Sequence, residues 1–236
     1  MTKSLEGRVA LVTGASRGLG YAAALALAEA GAHVIAAART QGGLEELDDA
    51  IRAAGGACTL VPLDMQSPDG IEKLAEAVET RWGKLDALVA NAAVLGLITP
   101  AAQIPAKVWN ETLAVNLIAP ARLIRAFDGL LRQSDAGRAV FVTSSVGQSP
   151  KGHWAAYGAS KAALDNLVMS WARELGETKV RANLLDPGRM RTRMRAKAMP
   201  GEDPATLPPP EDIAPKLIAL CDPAETRNGE IVKAHG

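Results

Sequence analysis

Short runs of apolar residues alternate along the chain with longer segments whose apolar positions recur at helical spacing. The first run, RVALVT at residues 8–13, lies between Gly7 and Gly14 and is typical of a buried strand. A helical segment follows at residues 19–30 and ends at Gly31, where a left-handed cap is favoured. The pattern predicts further strands at residues 32–38, 57–63, 85–90, 138–143, 180–185 and 229–232, and helices at residues 44–54, 68–82, 107–132 and 155–176.

Strands separated by helices at this spacing pair in parallel through right-handed crossovers. We therefore predict an α/β Rossmann fold, with a doubly wound, parallel, seven-stranded sheet and helices on both faces. With 236 residues, 48% of them hydrophobic, the chain suits one domain that spans residues 1–236. Residues 199–210 break the pattern with five prolines. With the segment before them, they predict a mobile lid over a substrate site at about residues 189–210.

Composition narrows the classes of function. Lysine and arginine balance aspartate and glutamate at 26 each, so no global positive field is available to attract nucleic acid or a membrane surface. The two cysteines, Cys58 and Cys221, are too far apart in sequence to suggest a zinc site or a disulfide framework. The N-terminus does not resemble a signal peptide, and no apolar run is long enough for a membrane helix. We therefore expect a cytoplasmic protein without a metal.

A glycine-rich segment, TGASRGLG, connects the first predicted strand to the first helix at residues 13–20. Glycines allow a sharp turn and a close approach to a pyrophosphate, and the helix N-terminus presents free N–H groups and a positive dipole end. We expect a dinucleotide to contact this segment at Gly14, Ser16, Arg17, Gly18, Leu19 and Gly20.

The G-x-x-x-G-x-G spacing resembles the TGxxxGxG opening of the short-chain dehydrogenase/reductase family, in particular its bacterial 3-oxoacyl-(acyl carrier protein) reductase-like members. The resemblance extends along nearly all of the chain. ANAA at residues 90–93 corresponds to the family's NNAG, with alanine at its first and last positions, and PGRMRT at residues 187–192 corresponds to PGxxxT. The resemblance implies an adenine contact at Asp64 and further cofactor contacts at Met65, Asn91, Ala92, Ala93, Pro187, Gly188, Met190 and Thr192.

The end of the second predicted strand indicates which nicotinamide cofactor is used. An NAD-binding protein usually has an acidic residue there, to bind the ribose 2′-hydroxyl. Ala38 and Arg39 stand at this point instead, and Arg17 adds a second guanidinium nearby. Because a guanidinium can bind a 2′-phosphate through two hydrogen bonds, we expect NADP(H).

Tyr157 and Lys161 are four residues apart on a predicted helix and therefore share one face. Proton exchange at neutral pH requires a lowered tyrosine pKa, and a neighbouring ammonium favours the phenolate. Ser144 matches the family's catalytic serine by its spacing from Tyr157, with Ser145 as the alternative. The resemblance also makes Asn116 a fourth catalytic residue, which distorts its helix and holds a water that relays protons to Lys161. A homodimer or homotetramer, joined through the two long helices, is implied as well.

These residues predict an oxidoreductase that transfers a hydride between NADP(H) and a small-molecule carbonyl or alcohol substrate. The alternative is a catalytically silent NADP(H)-binding sensor or scaffold of the same fold. A serine hydrolase is disfavoured because Ser144 does not follow a nucleophile elbow. Arginine or lysine occupies every second position from 189 to 197. This segment is either a solvated surface that pairs with Glu202 and Asp203 or a contact for an anionic substrate.

Overall fold

The structure is a computed structural model that describes residues 4–234 of the chain. Its strands are β1 (Val9–Thr13), β2 (His33–Ala38), β3 (Ala57–Pro62), β4 (Ala87–Ala90), β5 (Arg138–Val142), β6 (Arg181–Asp186) and β7 (Ile231–Lys233). They form one parallel sheet in the order β3-β2-β1-β4-β5-β6-β7. The strand order steps outward in both directions from β1 and β4, so the predicted doubly wound Rossmann sheet is confirmed.

Helices cover both faces of the sheet. Their bounds are α1 (Gly18–Glu29), α2 (Gln41–Ala53), α3 (Pro68–Trp82), α4 (Ala106–Leu113), α5 (Ala119–Arg132), α6 (Ser145–Gln148), α7 (Ala155–Glu174), α8 (Arg193–Ala198) and α9 (Pro210–Cys221). Apolar residues of α3, α5 and α7 form one buried layer against the sheet, and those of α1, α2 and α9 form the other. Neighbouring residues of β1 alternate between the two layers, with Leu11 in the first and Val12 in the second. The sheet is therefore buried on both faces, which explains the continuous apolar runs.

Residue type accounts for the conformation at two helix ends. Ser67 caps α3, with its hydroxyl accepting a hydrogen bond from the Gly70 amide over 3.2 Å. Gly31, just beyond α1, has a φ of 101°. Within residues 4–234, no helix is both long and apolar enough to cross a lipid bilayer.

The predicted helix at 107–132 is not continuous. A π-helical turn at Ala114–Ile118 separates α4 from α5. Pro120 has no amide hydrogen and cannot donate to the carbonyl of Asn116, so the α-helical ladder is interrupted at this point. The distortion that the family resemblance implies at Asn116 is therefore present.

The sequence analysis missed one helix, α9, which follows the proline-rich segment. α9 begins at Pro210, with Glu211 and Asp212 in its first turn, and buries Leu217. Proline at the first helical position and acidic residues in the first turn are ordinary signals of a helix start. They were missed because the prolines immediately before them suggest an irregular segment.

Candidate active site

The glycine-rich loop follows β1 and leads directly into α1. Gly14 has a φ of 67° and Gly18 a φ of 57°, in the left-handed region that glycine adopts without strain. A Cβ atom at Gly20 would lie 2.3 Å from the carbonyl oxygen of Gly14. These glycines allow the first turn of α1 to pack against the loop, with its free amides close to the end of the sheet.

The Thr13 hydroxyl joins this loop to the loop that follows β4. Its oxygen accepts hydrogen bonds from the amides of Asn91 and Ala92 over 3.0 and 3.1 Å. The Asn91 side-chain amide donates to the carbonyl oxygens of Thr13 and Gly14 over 3.0 and 3.3 Å. The two loops therefore form one hydrogen-bonded unit.

Ala93 has alanine where the family usually has glycine. Its φ is not in the left-handed region: among the non-glycine residues that the structure describes, only His153 has a positive φ, of 71°. The methyl group of Ala93 therefore causes no backbone strain.

A cavity of about 680 Å³ opens at the carboxyl edge of the sheet, which is where parallel α/β sheets bind ligands. Most of the predicted site residues line it: Gly14, Ser16, Arg17, Gly18, Leu19, Arg39, Asp64, Met65, Asn91, Ala92, Ala93, Ser144, Tyr157, Lys161, Pro187, Gly188, Met190 and Thr192. Gly20 and Asn116 are buried behind the wall, so they act on the site through the residues in front of them.

Two arginines mark one end of this cavity. Arg17 and Arg39 are exposed at its wall, beside Ala38. Within the described part of the chain, neither forms an ion pair. Asp64 lies at the same wall, where its Oδ1 accepts a hydrogen bond from the Gln66 amide over 3.0 Å and fixes the turn after β3. This end of the cavity can bind a phosphate group without first breaking a salt bridge.

Tyr157 and Lys161 are buried one turn apart on α7. Burial raises the pKa of Tyr157 to about 12, while the nearby Ser144 hydroxyl acts in the opposite direction. Burial lowers the pKa of Lys161 to about 8, opposed by the negative charge of Asp165. Lys161 Nζ donates to the Val142 carbonyl oxygen over 2.7 Å and lies 5.8 Å from the centre of the Tyr157 ring. A phenol and an ammonium thus share one buried site.

Ser144 follows the end of β5 and is half-buried at the cavity wall. Ser145 also lines the cavity but is more exposed, at the start of α6. The Ser144 hydroxyl is near enough to the phenol to favour a lower pKa of Tyr157. This proximity favours Ser144 over Ser145.

Asn116 lies in the π-helical turn, and its side chain connects the loop after β4 to α7. Its Oδ1 accepts a hydrogen bond from the Val94 amide over 2.8 Å, and its Nδ2 donates to the Val94 carbonyl oxygen over 2.9 Å. Nδ2 also donates to the Ser160 hydroxyl over 3.0 Å. The side chain thereby fixes the cavity wall at Val94. The water relay that the resemblance implies stays a prediction.

Asp165 is a buried residue behind the cavity wall that the sequence analysis missed. The Thr143 hydroxyl donates to its Oδ1, and Gln148 Nε2 donates to its Oδ2 over 3.4 Å. Burial raises the pKa of Asp165, although both hydrogen bonds and the Lys161 ammonium act in the opposite direction. Its spacing, four residues beyond Lys161 on the same helix, was a signal that could have identified it.

The lid segment, residues 189–210, contains more structure than predicted: α8 and a 3₁₀ turn at Pro204–Thr206. The expected pairing with Glu202 is present: Arg195 Nε and Nη2 donate to its carboxylate over 2.5 and 2.6 Å. Asp203 forms no such pair and instead caps the 3₁₀ turn through the Ala205 amide, over 2.9 Å. Because α8 begins at Arg193, Arg189 and Arg191 precede the helix, and Arg193 and Lys197 lie one turn apart on it.

Comparisons with known proteins agree with this geometry. The model of the short chain dehydrogenase family matches residues 8–203. The oxidoreductase YciK of Escherichia coli (strain K12) is 36% identical over 219 residues, which cover 92% of this chain and 86% of that protein. The 3-oxoacyl-[acyl-carrier-protein] reductase FabG of the same strain is 34% identical over 81% of this chain and 77% of its own length.

A solved structure extends the likeness to three dimensions. A short chain dehydrogenase from Shigella flexneri 2a, complexed with NADP, superposes with a TM-score of 0.96 at 34% identity, over 100% of both chains. The matched family model covers the glycine-rich loop, Ser144, Tyr157 and Lys161. The chain belongs to the short-chain dehydrogenase/reductase family.

Proposed function

We propose that this protein is an NADP(H)-dependent oxidoreductase that transfers a hydride between the nicotinamide and a small-molecule carbonyl or alcohol substrate. The observation that carries this proposal is the arrangement of Tyr157, Lys161 and Ser144. The three lie together at the wall of a cavity that also reaches the glycine-rich loop. A buried proton donor with a cation one helical turn away fits acid–base catalysis on a carbonyl oxygen.

The residues at the other end of the cavity fit a phosphorylated dinucleotide. The absence of a Cβ at Gly14 and Gly20 allows the glycine-rich loop to pack closely against Asn91 and the first turn of α1, which brings backbone amides to the cavity. Arg17 and Arg39 supply two guanidinium groups for a 2′-phosphate, with no carboxylate at Ala38 to repel it. The NADP-complexed Shigella structure supports the same cofactor.

The mechanism follows from the positions of the side chains. When bound, NADPH supplies the hydride to the carbonyl carbon. Tyr157 donates its phenolic proton to the carbonyl oxygen, and the Ser144 hydroxyl holds that oxygen by a hydrogen bond. The Lys161 ammonium stabilises the resulting phenolate, whose formation burial would otherwise oppose. In the direction of alcohol oxidation, the phenolate of Tyr157 accepts the proton of the substrate hydroxyl.

A direct test is to follow NADPH absorbance while the protein is incubated with ketoacyl thioesters, diketones, quinones and sugars. Steady oxidation of NADPH that depends on the added carbonyl compound supports the proposed oxidoreductase activity. A protein that binds NADPH tightly but turns over none of these compounds would be the silent sensor or scaffold instead. The homodimer or homotetramer implied by the family stays a prediction.

Cofactor preference depends on Arg39 in this proposal. Changing Ala38→Asp and Arg39→Leu together is expected to lower the preference for NADPH over NADH, measured as the ratio of the two kcat/KM values, by about 100-fold. The new carboxylate would repel a 2′-phosphate and bind a 2′-hydroxyl, and the guanidinium that pairs with the phosphate would be lost.

The control for this double variant is Arg173→Leu, an exposed residue of α7 that does not line the cavity. It should leave the preference unchanged. Equal use of both cofactors by the unaltered protein would show that Arg39 does not recognise a phosphate.

A further inference from the structure

The reacting end of the cavity is apolar. Tyr157 packs with Leu95 and Val146 in a buried cluster, against which Trp154 and Met194 also pack. The planes of the Trp154 and Tyr157 rings are inclined by 66°, in an edge-to-face arrangement, with their centres 6.0 Å apart. An apolar wall around the proton donor favours a substrate with apolar groups next to its reacting carbonyl.

Positive side chains stand beside this apolar wall. Lys151, Arg191 and Arg193 are exposed and line the same cavity, with Lys151 three residues before Trp154 and Arg193 directly before Met194. In the described range, none of the three cations forms an ion pair.

The carboxylate of Glu202 in the lid pairs with other residues and does not neutralise these charges. Arg17 and Arg39 lie at the nucleotide end, beside Ala38. In the lid, Glu202 binds Arg195, and the guanidinium of Arg189 lies 3.6 Å from the same carboxylate. Glu211 adds one exposed carboxylate to the cavity wall against these three cations, so a surplus of positive charge remains there in a chain whose formal net charge is zero.

We infer that the substrate of the proposed reaction is an amphipathic anion: an aliphatic carbonyl compound that also carries a carboxylate or phosphate group. This inference rests on the proposed function. The aliphatic part contacts Trp154 and Met194, and the anionic group is attracted by Lys151 and Arg193. Exposed charges act mainly on encounter and loose pairing, so they lower KM and leave kcat largely unchanged.

The experiment compares three aliphatic ketones of equal chain length that end in a carboxylate, a phosphate or a methyl ester. For the two anions, kcat/KM is expected to fall about three- to tenfold in the Lys151→Ser, Arg193→Ser double variant. It should also fall when salt is raised from about 20 to about 200 mM, because exposed charges are screened over about 10 Å at 0.1 M. The methyl ester should respond to neither change. The kcat/KM values of the carboxylate and the phosphate compounds show which of the two groups the site prefers.

The matched control is Lys197→Ser, because Lys197 is exposed on α8 but does not line the cavity. Equal responses of the acid and its ester would overturn the anionic substrate while leaving the proposed reaction intact. Quenching of tryptophan fluorescence by the acid but not by the ester, without oxidation of NADPH, would support the ligand class and contradict the proposed reaction.

We infer a separate role for Asp165 in the same reaction: it is a positioning residue that holds the segment of Ser144 against the helix that carries Lys161. It accepts hydrogen bonds from Thr143 and Gln148, one on each side of Ser144 in the chain. Through these bonds the segment that carries the serine is held against α7.

The same carboxylate acts on Lys161 through its charge, one turn further along α7. Tyr157 and Asp165 on that helix are the titratable groups near the ammonium, and Asp186 at the end of β6 acts on both of these groups through its charge. Asp165 therefore couples the position of the serine to the charge of the lysine.

Asp165→Asn separates this role from a purely structural one. The asparagine keeps an acceptor for Thr143 but removes the charge that favours the Lys161 ammonium, so the alkaline loss of kcat is expected about one pH unit lower. The dissociation constant of NADPH should stay within about threefold, since Asp165 does not line the cavity.

Thr143→Val provides a second variant of nearly the same shape. It removes one hydrogen bond to Asp165 and keeps the carboxylate, so it should lower kcat without moving the alkaline limb of the kcat profile. An alkaline limb that stays in place in Asp165→Asn, or that moves equally in both variants, would overturn the coupling to Lys161.

Discussion

Replacing Tyr157 with phenylalanine is expected to lower kcat by about 1,000-fold or more while NADPH binds within about threefold of the unaltered protein. The substitution removes one hydroxyl group, so the apolar contacts of the ring with Leu95 and Val146 remain. What is lost is the only group in the proposal that donates a proton to the substrate oxygen. Stopped-flow turnover and a fluorescence titration with NADPH measure the two quantities separately.

Tyr21 provides the control for this substitution, because it is the other tyrosine of the chain and lies on α1, away from the cavity wall. Tyr21→Phe should leave kcat unchanged. Activity above a tenth of the original in Tyr157→Phe would show that another group supplies the proton.

Lys161→Met is expected to reduce kcat by about 100-fold or more and to change how stability depends on pH. Burial lowers the pKa of Lys161 in the folded protein from 10.5 to about 8. Between these two pH values the unfolded chain binds more protons than the folded protein, so the free energy of unfolding of the unaltered protein rises with pH. The Met variant lacks this contribution, whereas Tyr157 titrates in both proteins.

The free energy of unfolding of the Lys161→Met variant, relative to the unaltered protein, should therefore fall by about 3 kcal/mol between pH 8 and pH 10.5. Urea unfolding at both pH values measures this difference, with Lys216→Met on the exposed side of α9 as the control. A constant difference across this range would mean that the lysine keeps an ordinary pKa in the folded protein.

The strands and most helices were predictable because burial on both faces gives a parallel strand a continuous apolar sequence. β1 and β5 have this character and are found where the pattern places them. The π-helical turn was not visible in the periodicity, because one wide turn does not change which side of the segment is apolar. The residue that indicates the π-helical turn is Pro120. Its missing amide hydrogen removes one hydrogen bond of the helix and leaves the apolar pattern of the sequence unchanged.

The site was predictable where chemistry restricts the residue type. Glycines are required at Gly14 and Gly20 by backbone geometry, and Tyr157 and Lys161 share a helix face through their spacing. Asp165 was missed because its partners, Thr143 and Gln148, come from a different segment of the chain. A pairing of the basic segment with Glu202 was expected. The sequence did not indicate that Arg195 would be the partner, because that depends on where α8 begins.

The hydroxyl of Thr13 has a consequence for the thermodynamics of cofactor binding. It accepts hydrogen bonds from Asn91 and Ala92 and thereby fixes the distance between the loop after β1 and the loop after β4. If each loop binds one half of a dinucleotide, the first half to bind holds the second at a high effective concentration near its subsite. Ordering the protein offsets little of the resulting gain in binding free energy, because the distance between the two subsites is already fixed. The covalent bond between the two halves then contributes to affinity in its own right, beyond the contacts that each half makes.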